Sequence, residues 1–174
     1  VGMIKFGELF EKGFEEMMQE AYLASIKSVD KGFDPKDIQA GWLGTSRPNL
    51  FGFVTIGGAF AASNLGLTGV PFTRVENGCP TGSDAFRNAC LGVASGVYDV
   101  VLAIGSEKMR DKSTTEGLLA RAVEGHPIIN RGETAAVTFS LVATRHMHEF
   151  GTTPEQLAMV SVKNRKNACL DPYA

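Results

Sequence analysis

Cys79 has the clearest chemical prospect of any residue in this sequence, because of what flanks it. It stands in Val75-Glu76-Asn77-Gly78-Cys79-Pro80-Thr81-Gly82-Ser83, where a strand pattern over 70–75 gives way to a helix pattern over 80–95. Gly78 permits a sharp turn, and Gly82 would let the helix approach a neighbour closely. Pro80 suits the first turn of a helix, where its missing N–H costs nothing. A sulfur so placed sits over a helix N-terminus, whose partial positive charge favours the thiolate. The thiolate is the attacking form, and a free thiol holds little of it near neutral pH. Two readings therefore stand side by side: an activated nucleophile, or the buried, inert thiol that is the common fate of cysteine.

A cysteine nucleophile needs a base within hydrogen-bond reach. The histidines are His126, His146 and His148. His126 falls in a loop and is the better pocket candidate. His146 and His148 lie two apart on a predicted helix and so face different ways. Cys90 follows Cys79 by about three helical turns, or ~16 Å of rise, too far for a disulfide or a proton relay; core packing is its expected role. Cys169 sits in a polar stretch near the end and reads as incidental. Lys163, Arg165 and Lys166 form a small basic cluster, either a solvated helix face or an anchor for a phosphate-bearing substrate. No phosphate-binding or dinucleotide glycine fingerprint follows a strand.

The elements that must position Cys79 can be read in outline. Residues 8–29 carry Phe10, Phe14, Met17, Met18, Ala21 and Ile26 at helical spacing, with Gly32 as a C-cap. Residues 38–44 read as a strand with Trp42 in the core, and 44–52 as a loop. Residues 53–65 read as a buried helix closed by Gly66, with Gly57 and Gly58 there for close packing. Residues 97–105 form an almost continuous apolar run, as a strand buried on both faces would. Residues 108–132 have no clean pattern and suit a lid or interface loop. Residues 133–150 read as a helix capped by Gly151. Thr153-Pro154-Glu155-Gln156 starts a last helix running to about Asn167. Strands alternating with helices imply an α/β fold with right-handed crossovers, a layered, mostly parallel sheet and helices on both faces.

Composition sets the limits. The chain has 174 residues, 44% hydrophobic and 21% charged, with net charge −2, so it is globular and unsuited to general nucleic-acid or anionic-membrane binding. No apolar stretch is long and pure enough to span a bilayer. Three cysteines without compact spacing argue against a disulfide framework or a metal site and fit a reducing, cytoplasmic compartment. Val1-Gly2-Met3-Ile4 shows no initiator Met and no signal pattern, and reads as the tail of a first strand that is largely missing.

The segment around Cys79 resembles the nucleophile segment of thiolases. Gly105-Ser106-Glu107-Lys108-Met109, Arg145-His146-Met147 through Gly151, and Lys163-Asn164-Arg165-Lys166-Asn167-Ala168 followed by Asp171-Pro172-Tyr173-Ala174 resemble, in the same order, further stretches of the sterol-carrier-protein-type thiolases and thiolase-like acetyl-CoA acetyltransferases. The resemblance covers nearly all of residues 1–174 and implies a thiolase-like N-terminal half. It implies that Cys79 takes an acyl group from a 3-oxoacyl-CoA as a thioester and passes it to CoA, the reverse being a Claisen condensation. The backbone N–H of Cys79 would help hold an oxyanion. Coenzyme A enters as substrate, and no permanently bound cofactor is implied. A homodimer is implied, with the strand before Cys79 and the loop after Lys108 among its contacts.

Thiolases continue as a second, similar half carrying the activating histidine in a His-Asp-x-Phe-like motif and a second cysteine in a Cys-x-Gly motif. Neither motif occurs here, so the C-terminal half is absent and His126, His146 and His148 do not inherit that role. Pro80 also departs from the usual small residue after the cysteine. Three alternatives stay open. One is a subunit acting on aromatic acylsuccinyl-CoA with a small zinc-containing partner. Another is a retro-aldolase of the lipid-transfer type, which typically lacks the nucleophilic cysteine. The third is a non-catalytic acyl-CoA or lipid carrier.

Overall fold

The computed structural model describes residues 1–46, 56–111 and 135–174. By its contacts the chain divides into two units, Val1–Asp111 and Lys112–Ala174.

In the first unit, helix α1 (Phe14–Lys27) starts where Glu16 accepts a hydrogen bond from the Gly13 N–H at 2.6 Å. That bond satisfies one of the N–H groups a helix start leaves open. The start lies six residues later than the apolar spacing predicts. Phe10, expected on the helix face, precedes it and is 58% exposed. The buried stripe is Phe14, Met18 and Tyr22, each four residues apart and so on one side of the helix. Gly32 adopts φ +78° in the turn that follows.

Strands β1 (Ala40–Gly44), β2 (Phe72–Val75) and β3 (Val101–Gly105) form a parallel sheet in the order β2-β1-β3. Parallel neighbours need crossovers, and helices α2 (Gly57–Asn64) and α3 (Thr81–Ala94) supply them. Side chains alternate along β1, and each side meets a different helix layer. Leu43 joins Met18, Tyr22, Ala61, Leu65 and Ile104 in the core beneath α1 and α2. Trp42 points the other way, half-buried, with its ring against Gly92 of α3 and edge-on to Tyr98 at 6.3 Å. A Cβ on Gly92 would lie 2.8 Å from that ring, so the glycine admits the indole. Gly44, on the Trp42 side, lies close under Thr81 and Ala85 of α3. Helices thus cover both faces, as expected.

Strand β3 departs from its expected double burial. Of its residues only Ile104 is fully buried. Among the described residues β3 pairs with β1 on one side alone, so its outer edge lacks the neighbour that would cover it.

Tyr22 has its hydroxyl buried with no hydrogen-bond partner. Burial also pushes its phenol up from the ordinary value of 10.0. A phenol raised in the fold contributes stability that is intact below the unfolded value and is lost as pH climbs toward the folded one. Tyr22→Phe should therefore gain about 1 kcal/mol at neutral pH by removing an unsatisfied group. Its lead over the parent should widen above about pH 10. Urea denaturation at pH 7 and above pH 10 checks both.

The second unit contains helices α4 (Ala135–Phe150) and α5 (Pro154–Ala168). Gly151 ends α4 with φ +70°. Thr153 caps α5, accepting from the Gln156 N–H while the Gln156 side chain accepts from the Thr153 N–H, the reciprocal pairing expected of that spacing. Apolar residues on both helices are exposed, including Phe139, Leu141 and Val160. Among the described residues no helix is long and apolar enough to cross a membrane.

Candidate active site

The three parallel strands end together, and Cys79 lies where they end. Thr45 and Ser46 follow β1, Glu76 to Cys79 follow β2, and Ser106 and Glu107 follow β3. The carboxyl end of a parallel sheet is where α/β folds place their ligands. A cleft of about 470 Å³ opens there, with Gly44, Gly78, Cys79, Gly82, Gly105 and Ser106 in its lining and residues of the 2–9 segment as one wall. Lys108 holds that wall in place. Its buried Nζ donates to the Leu9 carbonyl at 2.8 Å and pairs with Asp111 at 2.7 Å, which compensates the cost of burying an ammonium.

Cys79 is exposed and is not packed in the core. It precedes α3 by one residue, Pro80, which caps the helix with φ −80° and no side-chain hydrogen bond. The turn is clasped from both ends. Gly78 takes φ +57°, a conformation that costs other residues strain. Glu76 accepts from the Gly78 N–H at 2.7 Å. Thr81 Oγ1 accepts from the Asn77 N–H at 2.9 Å and donates to the Gly78 carbonyl at 2.6 Å. The Cys79 N–H has no acceptor among the described residues. A thiol and a free backbone donor thus sit together at a helix N-terminus beside a cleft, an arrangement suited to acyl transfer.

Two expectations around this turn are corrected. A Cβ on Gly82 would meet nothing within 4 Å. Close packing is not its role, and its bare backbone instead leaves space in the cleft lining. Cys90 is exposed and is no part of the core, because its position on α3 turns it away from the side on which Thr81, Ala85 and Ala89 are buried. It borders an apolar hollow between α1, α3 and β3.

The other candidates fall elsewhere. His126 lies outside the described residues, as does most of 108–132. His146 bonds Thr152 through Nδ1 at 2.9 Å and packs on Phe150 with ring centroids 4.7 Å apart, a local contact closing the end of α4. His148 is exposed in the last turn of the same helix. Lys163, Arg165 and Lys166 are exposed on α5, the latter two in its last turn, where cations suit the helix dipole. Cys169 is the exposed C-cap of α5. Among the described residues no group of three or more His, Cys, Asp or Glu side chains could hold a metal ion.

Residue-by-residue inspection of the sequence does not reveal the clasp formed by Glu76 and Thr81. A Glu three residues before the nucleophile and a Thr two after it are the available signal.

Comparison with known proteins identifies the family. The thiolase N-terminal domain model matches residues 2–173. The acetyl-CoA acetyltransferase of Methanothermobacter thermautotrophicus is 40% identical over 100% of this chain and 45% of its own length. That of Methanocaldococcus jannaschii is 37% identical over 99% of this chain and 44% of its own length. The benzoylsuccinyl-CoA thiolase subunit BbsB of Thauera aromatica is 32% identical over 100% of this chain and 43% of its own length. The chain thus spans less than half the length of each of these relatives. With a family match over nearly all its residues and a relative 40% identical across all of it, this chain belongs to the thiolases, corresponding to their N-terminal domain.

Proposed function

We propose that this chain is the nucleophile-bearing part of a CoA-dependent acyltransferase of the thiolase type. The observation that carries the reading is Cys79, exposed beside a cleft at the carboxyl ends of the strands, with its own N–H free of any described acceptor. The Cys79 thiolate attacks the keto carbon of a 3-oxoacyl-CoA, and the Cys79 N–H donates to the developing oxyanion. Collapse of the adduct breaks the C2–C3 bond. The departing acetyl-CoA carbanion takes a proton from an acid, a role the family resemblance assigns to the second half. The acyl group stays on Cys79 as a thioester. The thiol of a second CoA, deprotonated by a base, attacks that thioester and expels the Cys79 thiolate. In reverse, the same steps form the carbon–carbon bond.

The reading extends to CoA as substrate rather than resident cofactor, and to a homodimer in the cytoplasm. The support for CoA as substrate is the similarity to two acetyl-CoA acetyltransferases across this chain.

Full-length protein incubated with acetyl-CoA should yield an acetylated Cys79 peptide by mass spectrometry, with Cys90 and Cys169 unmodified. An unmodified Cys79 under turnover conditions would count against the proposal.

A second reading has one observation in its favour. The similarity to BbsB covers the whole chain, and that protein is named as a subunit of a benzoylsuccinyl-CoA thiolase. The chain would then act on an aromatic acylsuccinyl-CoA beside a small zinc-containing partner. Comparing turnover of aromatic and short aliphatic 3-oxoacyl-CoA substrates, with co-purification of a zinc protein, separates the two.

A further inference from the structure

The brace that ends at the nucleophile turn gives a role to a residue outside the chemistry. Glu76 directly follows β2, whose last residue, Val75, is in register with Gly44 of β1. Its Oε1 accepts from the Gly78 N–H at 2.7 Å and from Ser46 Oγ at 3.5 Å. Ser46 is itself fixed. Its N–H donates to Glu107 Oε1, and its carbonyl accepts from Arg74 Nη2 at 2.7 Å. Thr45, fully buried, is held in the same way: its Oγ1 donates to Glu107 at 3.4 Å, and its carbonyl accepts from Arg74 Nε at 3.1 Å. These bonds join the carboxyl ends of all three strands, and Glu76 carries the connection into the turn.

We infer that Glu76 is a positioning residue for Cys79: its carboxylate fixes the Gly78 peptide and so sets where the Cys79 sulfur and N–H point. Gly78 has φ +57°, and a glycine left to itself visits many backbone conformations. A hydrogen bond from its N–H to a side chain tied to the sheet selects one of them. The role is geometric: the carboxylate serves as the acceptor that holds the Gly78 N–H. A neutral acceptor of the same length should therefore serve. The inference rests on the acyl-transfer reading of Cys79 but is testable apart from it.

In the full-length protein, Glu76→Gln should keep kcat within about threefold, since the amide oxygen still accepts. Glu76→Ala should lower kcat on the order of 10- to 100-fold with little change in KM, the loss expected of a misplaced reacting group. Glu76→Met, which keeps the stem and loses the acceptor, substitutes for the alanine variant if circular dichroism shows that variant unfolded. Alkylation by iodoacetamide, read peptide by peptide, gives a second measure. The rate at Cys79 relative to exposed Cys90 and Cys169 should drop in the alanine or methionine variant and return in the glutamine variant. Alkylation needs no acyl-CoA, so it decides the positioning role even if the wild type forms no acyl-cysteine. The inference is overturned if removing the acceptor leaves kcat and the alkylation ratio within about twofold. It is equally overturned if glutamine is as damaging as alanine, which would make the charge the working feature.

Discussion

Cys79→Ser is expected to cut acyl-transfer turnover of the full-length protein by ~10³-fold or more while leaving the fold intact. A serine hydroxyl is much less acidic than a thiol, and a helix N-terminus alone does not supply enough thiolate-like character to replace it. The substitution removes no packed group, because Cys79 is exposed, so stability should change by less than about 0.5 kcal/mol. The clasp uses Glu76, Asn77, Gly78 and Thr81 but not the cysteine side chain, so the turn should persist. CoA-ester affinity should therefore survive where turnover does not. Steady-state rates, a CoA-ester binding titration and a denaturation midpoint test all three. A serine variant that retains more than about a tenth of wild-type turnover would remove Cys79 from the chemistry. A wild type that binds acyl-CoA but turns nothing over, with affinity unchanged in the variant, would favour a carrier.

The parts of this site that could be read from the sequence are those set by local backbone chemistry. A positive-φ glycine before the cysteine, a proline at the helix entrance and a β-branched strand before both have the same meaning in any fold, and Gly78, Pro80 and β2 behave accordingly. The Thr153 box was legible for the same reason. Features that depend on distant partners were not. Phe10 continues the apolar spacing of α1, yet the Gly13–Glu16 bond starts the helix beyond it. Cys90 looks like a core residue by type, but the buried side of α3 is set by which residues face the sheet, namely Ala85 and Ala89. Glu76 reads as an ordinary exposed acid until Ser46, thirty residues earlier, is brought beside it. Gly57 and Gly58 show the boundary between the two. The pair implies close packing, but what each packs against emerges only from the sheet.

That difference sets a large expected stability effect. A Cβ on Gly58 would lie 2.2 Å from the Phe72 carbonyl oxygen and 3.0 Å from its carbon. The obstacle is backbone, and Phe72 cannot retreat, because it is paired with Gly41 of β1 and its ring covers the face of that glycine. Relief requires α2 to move off the sheet, loosening Ala61 and Leu65 from the core they share with Leu43 and Ile104. Overpacking of this kind costs about 3 kcal/mol, against a helix-propensity gain for alanine of at most about 1 kcal/mol. Gly58→Ala should thus lose about 2 kcal/mol or more. Gly57→Ala is the control. Its Cβ would meet Arg74 Cδ at 2.8 Å, a side chain rather than backbone, and yielding strains the Arg74 bonds to the Thr45 and Ser46 carbonyls, so the loss should be smaller, about 1 kcal/mol. Urea denaturation midpoints rank the two, and a Gly58 variant as stable as the parent would refute the packing argument. The effect should reach the chemistry as well. Phe72 begins β2, which leads directly into Glu76 and the turn that holds Cys79, so a shift there misplaces Cys79, and turnover measured under conditions where the variant is still folded should drop by ~10-fold or more.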